Sequence, residues 1–375
     1  MPSWKIAIAG GSLGGLFAGV LLHGAGHDVV VCERSAGGLE GRGAGLVAQR
    51  EVFRIMRLAG CEHLARIGVL AAERIFLDRS GRIIDRVAQP QTQISWDRLF
   101  RSFRERLPEG RYLLGAEVVA AGQDEASARL RLADGRVVEA ELVIGADGLG
   151  SAVRAEVAGG PVAAPDYAGY AAWRGLLPER DLPAPAARVL RDRFAFFDAP
   201  GCHALGYLVA GPDGSVAPGE RRYNWVWYRP APVADGSLAR ALTDADGKAY
   251  PFHLPRGRMA RADRDALVAD AARLLPPPFA LAVAAEPRPF VQGIFDHVAP
   301  ALARGRIALL GDAAAVVRPH TAMGVAKAAG DAMALARHLA AGGDPVAALL
   351  AYGAERRPVA LEIADLGRRL GAAFA

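Results

Sequence analysis

Lysine is scarce. Among 375 residues it occurs only at Lys5, Lys248 and Lys327, so the net charge of +5 rests on arginine. The arginines are scattered among acids, and no run of five or six like charges occurs. That pattern is a solvated surface and argues against a nucleic-acid footprint. It leaves a mild preference for anionic ligands such as a pyrophosphate. Cysteine is equally sparse: Cys32, Cys61 and Cys202 are odd in number, far apart and never in a C-x-x-C spacing. No disulfide framework or metal site follows, and a reducing cytoplasm is the expected setting. Long apolar runs are missing too, apart from residues 6–22, IAIAGGSLGGLFAGVLL. Their length imitates a signal-peptide core, but the dense glycines argue against it, and no membrane span is expected. Repeats, low-complexity tracts, a Ser-His-Asp set and a metal-ligand cluster are all lacking. What remains is a 52% hydrophobic chain long enough for one large or two intimately packed domains.

The first positive signal is at the start. Residues 4–9, WKIAIA, read as a buried parallel strand, followed by Gly10-Gly11-Ser12-Leu13-Gly14-Gly15 and an apolar helix. A second buried strand, Asp28 to Cys32, ends at Glu33. Strand, glycine turn, helix, strand and acid make a dinucleotide-binding unit. Gly10 permits the tight turn, Gly15 lets helix and strand approach, and the helix N-terminus offers N–H groups and a positive dipole to a pyrophosphate. Ser12 stands where the middle glycine is usual. Glu33 follows roughly 20 residues after Gly10, the distance at which an acid meets a ribose. This unit does not choose between NAD and FAD.

Two further stretches have the same strand-then-loop form. In ELVIGADGLGSAVR, residues 141–154, a buried strand runs into Asp147-Gly148, and Ser151 and Arg154 open a helix. In residues 306–332 a strand ends at Gly311-Asp312, Pro319 marks an extended loop, and a long helix begins at Gly324. A carboxylate at the end of a parallel strand sits at the sheet's carboxyl edge, where α/β sheets bind ligands.

Together these stretches resemble the class A flavoprotein monooxygenases, aromatic hydroxylases of the para-hydroxybenzoate hydroxylase type. Ser12, Ala315, Ala322, Ala326-Lys327 and Trp96 depart from the broad pattern. They match, with YAGYAAWRG at 167–175, the 2,6-dihydroxypyridine 3-hydroxylase group. The resemblance implies an α/β fold: a Rossmann-like, discontinuous FAD-binding domain of the GR2 type, an inserted antiparallel β-sheet substrate domain, and C-terminal helices. The FAD-binding part is expected at 1–160 and 285–345, with 70–96 on the substrate side, the β-sheet domain at 161–284, and the helices at 346–375. Runs 170–174, 205–209 and 223–228 read as antiparallel strands, and 262–275 as a helix ended by Pro276-Pro277-Pro278. Two terminal helices are expected, 346–356 and 359–370.

The resemblance also implies a reaction. NADH or NADPH reduces FAD, O2 forms a flavin C4a-hydroperoxide, and a small electron-rich ring, a hydroxylated pyridine, is hydroxylated in pyridine catabolism. FAD contacts are expected from Gly10, Ser12, Leu13, Gly14, Gly15, Glu33, Arg34, Arg42 and Gly43, then from Asp147 and Gly148. Gly311, Asp312, Pro319, Ala322, Met323 and Gly324 would serve the ribityl chain and the flavin ring. The protein needs no nucleophile of its own, but a base that takes a ring-hydroxyl proton would help. His203 and His320 are the candidates. Arg174, Tyr207, Gln292 and His320 are expected to line the substrate pocket, with Asp296 nearby. Lys327 reads as a ligand or as a snorkelling helix residue. No nucleic-acid or membrane partner is expected, and a homodimer follows from the resemblance alone.

Other readings stay open. Trp225-Val226-Trp227-Tyr228-Arg229-Pro230 fits the W-x-W-x-x-P string of flavin halogenases, which also need an early lysine, and none lies between Lys5 and Lys248. A flavin-free NAD-dependent dehydrogenase would use only the first motif. A flavin-binding protein without hydroxylase turnover is the third alternative.

Overall fold

The computed structural model describes residues 3–39, 45–47, 49–66 and 68–374. Four sheets form among them. The first has six strands, in the order Ala303–Arg304, Ile307–Leu309, Leu142–Gly145, Lys5–Ala9, Asp28–Glu33 and Tyr112–Leu114. All neighbours but the first pair run parallel. Runs such as LVIG are buried throughout, as a parallel sheet covered on both faces requires. Register puts Ala9 beside Gly145, and Gly145 beside Leu309. Strands lie about 4.8 Å apart, so the three sequence motifs leave the sheet side by side at its carboxyl edge. The helices Leu13–Gly24 and Gly324–Ala340 pack against each other, which brings the first and third motifs together.

The largest sheet has nine strands and forms the wall opposite. Its main path is His253–Leu254, Phe290–Val298, Asp166–Pro178, Arg222–Pro230, Cys202–Val209, Arg193–Ala199, Glu73–Leu77 and Ile83–Val87. Most of these pair antiparallel, as the bulky alternating runs predict, but Arg193–Ala199 and Glu73–Leu77 pair parallel. The sheet therefore draws strands from 73–87 and 290–298 as well as from 166–254. Phe290–Val298 also pairs with Ala315–Val316, which ties this sheet to the third motif.

The ends of helices differ in two places from expectation. Pro345–Leu370 is one helix that runs through Pro358. Proline inside a helix costs about 3 kcal/mol, but Tyr352, Ile363 and Ala364 bury the same helix on both sides of it. Asp344 caps its start, accepting hydrogen bonds from the N–H groups of Val346 and Ala347. Arg261–Leu274 stops before the triple proline, and Pro277 then opens a further helix, Pro277–Ala285. Proline in the first turn lacks only an N–H that has no helical partner anyway. Among the described residues no helix is long and apolar enough to cross a membrane, and no His, Cys, Asp and Glu cluster could hold a metal.

Candidate active site

The carboxyl edge of the six-stranded sheet is a cradle that only small residues permit. Gly10 has φ +97°, and a Cβ there would lie 2.3 Å from the Ala146 carbonyl oxygen. A Cβ on Gly15 would lie 1.9 Å from the Gly10 carbonyl oxygen. Ser12 is exposed at the helix N-terminus, its side chain capping nothing, while Leu13 turns its side chain into the core. Glu33 is buried, and its two carboxylate oxygens accept from Gly11 N–H (2.9 Å) and Ser35 N–H (2.8 Å). Arg34 is exposed, and Arg42 and Gly43 lie outside the described residues.

The second motif is a brace. Asp147 accepts from the Ser151 hydroxyl (2.6 Å) and from the N–H of Ala152 (2.7 Å). Arg154 donates to the carbonyls of Leu149 and Gly148, and across to those of Asp312 (3.1 Å) and Ala313 (2.9 Å). The second and third loops are thus stitched together. Asp312 is open to solvent, yet protein surrounds it closely enough that burial raises its pKa. A place on the wall of a cleft reconciles the two. Among the described residues nothing donates a hydrogen bond to its carboxylate.

Behind Asp312 lies a buried network. Lys327 donates from Nζ to the Gly311 carbonyl (2.8 Å) and to Asp331 Oδ2 (3.0 Å). The same Asp331 oxygen accepts from Gly311 N–H (3.0 Å), and its other oxygen accepts from Arg356 Nε (2.8 Å). Lys327 does not snorkel: its side chain is wholly buried. It clamps Gly311, at φ +58°, from inside. Downstream, Pro319 opens a short turn and Ala322 takes φ +53°, a left-handed conformation without being glycine. Gln49 holds its carbonyl (2.9 Å), and Met323 and Gly324 then start the long helix.

On the nine-stranded sheet, register lays one face out in rows. Asp198, His203, Tyr228, Ala172 and Gln292 form one row; Phe196, Leu205, Val226, Arg174 and Phe290 form the next. His203 Nδ1 is 2.5 Å from Asp198 Oδ1. A carboxylate only accepts, so Nδ1 carries the proton and Nε2 is the basic atom. His320 reaches the same place from the third motif. Its Nε2 is 2.8 Å from the Tyr170 hydroxyl, and its ring centroid is 4.5 Å from Tyr228 and 6.1 Å from His203. Burial, with His203 and Arg318 beside it, lowers its pKa to about 3, so it is neutral. Arg174 donates to Gln292 Oε1 (3.1 Å), while its buried Nε has no hydrogen-bond partner among the described residues. The Tyr207 hydroxyl is taken by the Gly45 carbonyl (3.0 Å). Asp296, expected near the pocket, is locked by Arg318 (2.7 Å) and is not free to meet a ligand.

The comparisons agree with this architecture. A family described as FAD binding domain matches residues 3–201 and 257–366, and another described as FAD binding domain-like matches 167–296. The chain belongs to the FAD-dependent aromatic monooxygenases. It is 33% identical over 334 residues to 2,6-dihydroxypyridine 3-monooxygenase of Paenarthrobacter nicotinovorans, covering 88% of this chain and 82% of that one. It is 26% identical to 6-hydroxynicotinate 3-monooxygenase of Bordetella bronchiseptica, covering 89% and 82%. The solved 2,6-dihydroxypyridine-3-hydroxylase of Arthrobacter nicotinovorans superposes with TM-score 0.92 at 29% identity, covering 100% of this chain and 93% of that one. The fold, the monooxygenase class and FAD with a nicotinamide donor are those expected from the sequence.

The residues present fit FAD. The glycine cradle and the helix N-terminus suit a pyrophosphate, and Asp312 offers an unbonded carboxylate to sugar-alcohol hydroxyls. Sequence reasoning missed Tyr170, Tyr228, Asp198 and the partners of Lys327. Tyr170 lies in the quoted YAGYAAWRG, but its bond to a residue 150 positions away has no local signal.

Proposed function

We propose that this monooxygenase hydroxylates a single electron-rich heteroaromatic ring bearing hydroxyl groups, of the 2,6-dihydroxypyridine kind, between His203 and Arg174. One observation carries the reading: an Asp-buttressed histidine and an arginine with an unpartnered buried Nε occupy adjacent rows of one sheet face. His203 and Arg174 lie two strands apart, about 10 Å across the sheet, and one row apart, about 7 Å along it, which leaves room between them for one six-membered ring with its hydroxyl groups. The names of the two curated relatives, which specify a dihydroxypyridine and a hydroxynicotinate, support the same substrate class.

FAD, reduced by NADH or NADPH, supplies the oxygen-activating chemistry when bound. The chain does the rest. His203 Nε2 takes the proton of a ring hydroxyl, and Asp198 stabilises the imidazolium that results. The ring anion is the better nucleophile, and the Arg174 guanidinium balances its charge. His320, already bonded to Tyr170 and neutral, holds position and does not compete for the proton. Tyr228, Phe196 and Leu205 exclude water around the ring.

The test is NADH oxidation by the FAD-loaded protein with and without 2,6-dihydroxypyridine, with product mass followed alongside. Strong stimulation and a product carrying one added oxygen are expected. In Arg174→Met, KM should rise at least tenfold; in His203→Asn, kcat should fall by about 100-fold or more. Stimulation without oxygen transfer would defeat the substrate assignment. Wild-type rates in both variants would defeat the residue roles.

A further inference from the structure

We propose that Phe374 sets the size of ring the site accepts, as the aromatic wall behind the histidine pair; this rests on the function proposed above. The helix Pro345–Leu370 delivers the segment, and its exit is fixed by the site itself. At Gly371 a Cβ would lie 2.5 Å from the Tyr170 hydroxyl and 2.8 Å from Arg318 Nη1. Arg318 is held by Asp296 and lies over the Tyr170 ring at 5.6 Å. Three residues later the Phe374 ring stands 4.9 Å from His320, 5.4 Å from His203, 5.8 Å from Tyr170 and 6.2 Å from Tyr228, centroid to centroid. It packs on the floor cluster that includes Ala172 and Val226. The ring packs against both imidazoles at once, at the His203 end of the proposed substrate site. A phenyl wall leaves the single ring its stacking surface and denies space to a bicycle.

The measurement is the dissociation constant of 2,6-dihydroxypyridine and of a dihydroxyquinoline, read from the flavin absorbance change in wild type, Phe374→Ala and Phe374→Leu. Hydroxylated product per NADH consumed is followed alongside. In Phe374→Ala the preference for the single ring over the bicycle should fall by about tenfold or more. Less product should form per NADH from the single ring, and Phe374→Leu should lie between. An unchanged preference overturns the proposal. Tighter binding of the single ring to Phe374→Ala also overturns it, since the side chain would then be a plug competing with substrate. If Phe374→Ala does not fold, the leucine variant decides by the same ratio. If the yellow wild-type protein binds neither ring, the substrate reading itself falls and takes this one with it.

Discussion

Asp331 is the anion on which the cofactor edge depends. It is 1% exposed and serves one buried cation, one half-buried cation and one backbone N–H: Lys327, Arg356 and Gly311. Asp331→Asn keeps the shape, so no cavity term enters. It leaves the buried Lys327 and the half-buried Arg356 without their hydrogen-bonded carboxylate and turns an amide N–H toward another donor. Removing one partner of a buried ion pair costs about 3–5 kcal/mol. Lys327→Met is the contrast. Asp331 keeps Arg356, and the Gly311 carbonyl keeps the Ala315 N–H. The loss there should be about 1 kcal/mol. Equilibrium urea unfolding of the apoprotein should therefore separate the two variants by at least 2 kcal/mol at unchanged slope. Fluorescence titration with FAD should show the asparagine variant binding about tenfold more weakly, or about 1.4 kcal/mol. Equal destabilisation, or a worse outcome for Lys327→Met, would refute the argument that the aspartate organises the network.

Two other consequences can be checked on stability. Ala322 pays for its left-handed conformation by about 1–2 kcal/mol relative to glycine, and glycine gives part of that back as unfolded-chain entropy. Ala322→Gly should stabilise by roughly 0.5–1 kcal/mol in urea; destabilisation would mean that the methyl packs on something essential. His320, with a pKa lowered from 6.5 to about 3, is neutral in the folded protein and takes a proton in the unfolded chain below pH 6.5. Its contribution is thus complete above pH 6.5 and declines as the pH falls toward 3. Tyr170 and Tyr228 also face its ring, with Asp198 beyond His203, and none of them offers it a direct carboxylate partner. The stability difference between wild type and His320→Gln should shift against wild type from pH 7 to pH 5; a constant difference would show that folding leaves the His320 pKa where it is in the unfolded chain.

The cofactor half of the molecule was legible because its chemistry is local. Gly10 and Gly15 sit where a short turn and a close helix approach demand them, and Glu33 follows at the distance of one helix and one strand. Asp147, Arg154 and Asp312 were also found, but their division of labour was not. Asp147 and Arg154 spend their bonds bracing loops, and of the two aspartates only Asp312 has a carboxylate without a hydrogen bond among the described residues. That outcome depends on which carbonyls the Arg154 side chain can reach across two loops.

The substrate half was legible only as a set of strands. His203 and His320 were named from their neighbourhoods, yet their separate states come from packing: Asp198 faces one ring nitrogen of His203, while burial and Arg318 hold His320 neutral. Phe374 offered no signal among its alanine neighbours. By itself the sequence determined the glycine turn, the buried parallel strands and the order of the three motifs, because backbone sterics and hydrophobic period act within a few residues. Only the tertiary structure decided which side chains meet: strand register set the rows that pair His203 with Tyr228 and place Arg174 one step on. Pairing between distant strands is fixed by the packing of whole sheets, and no local stretch of sequence records it.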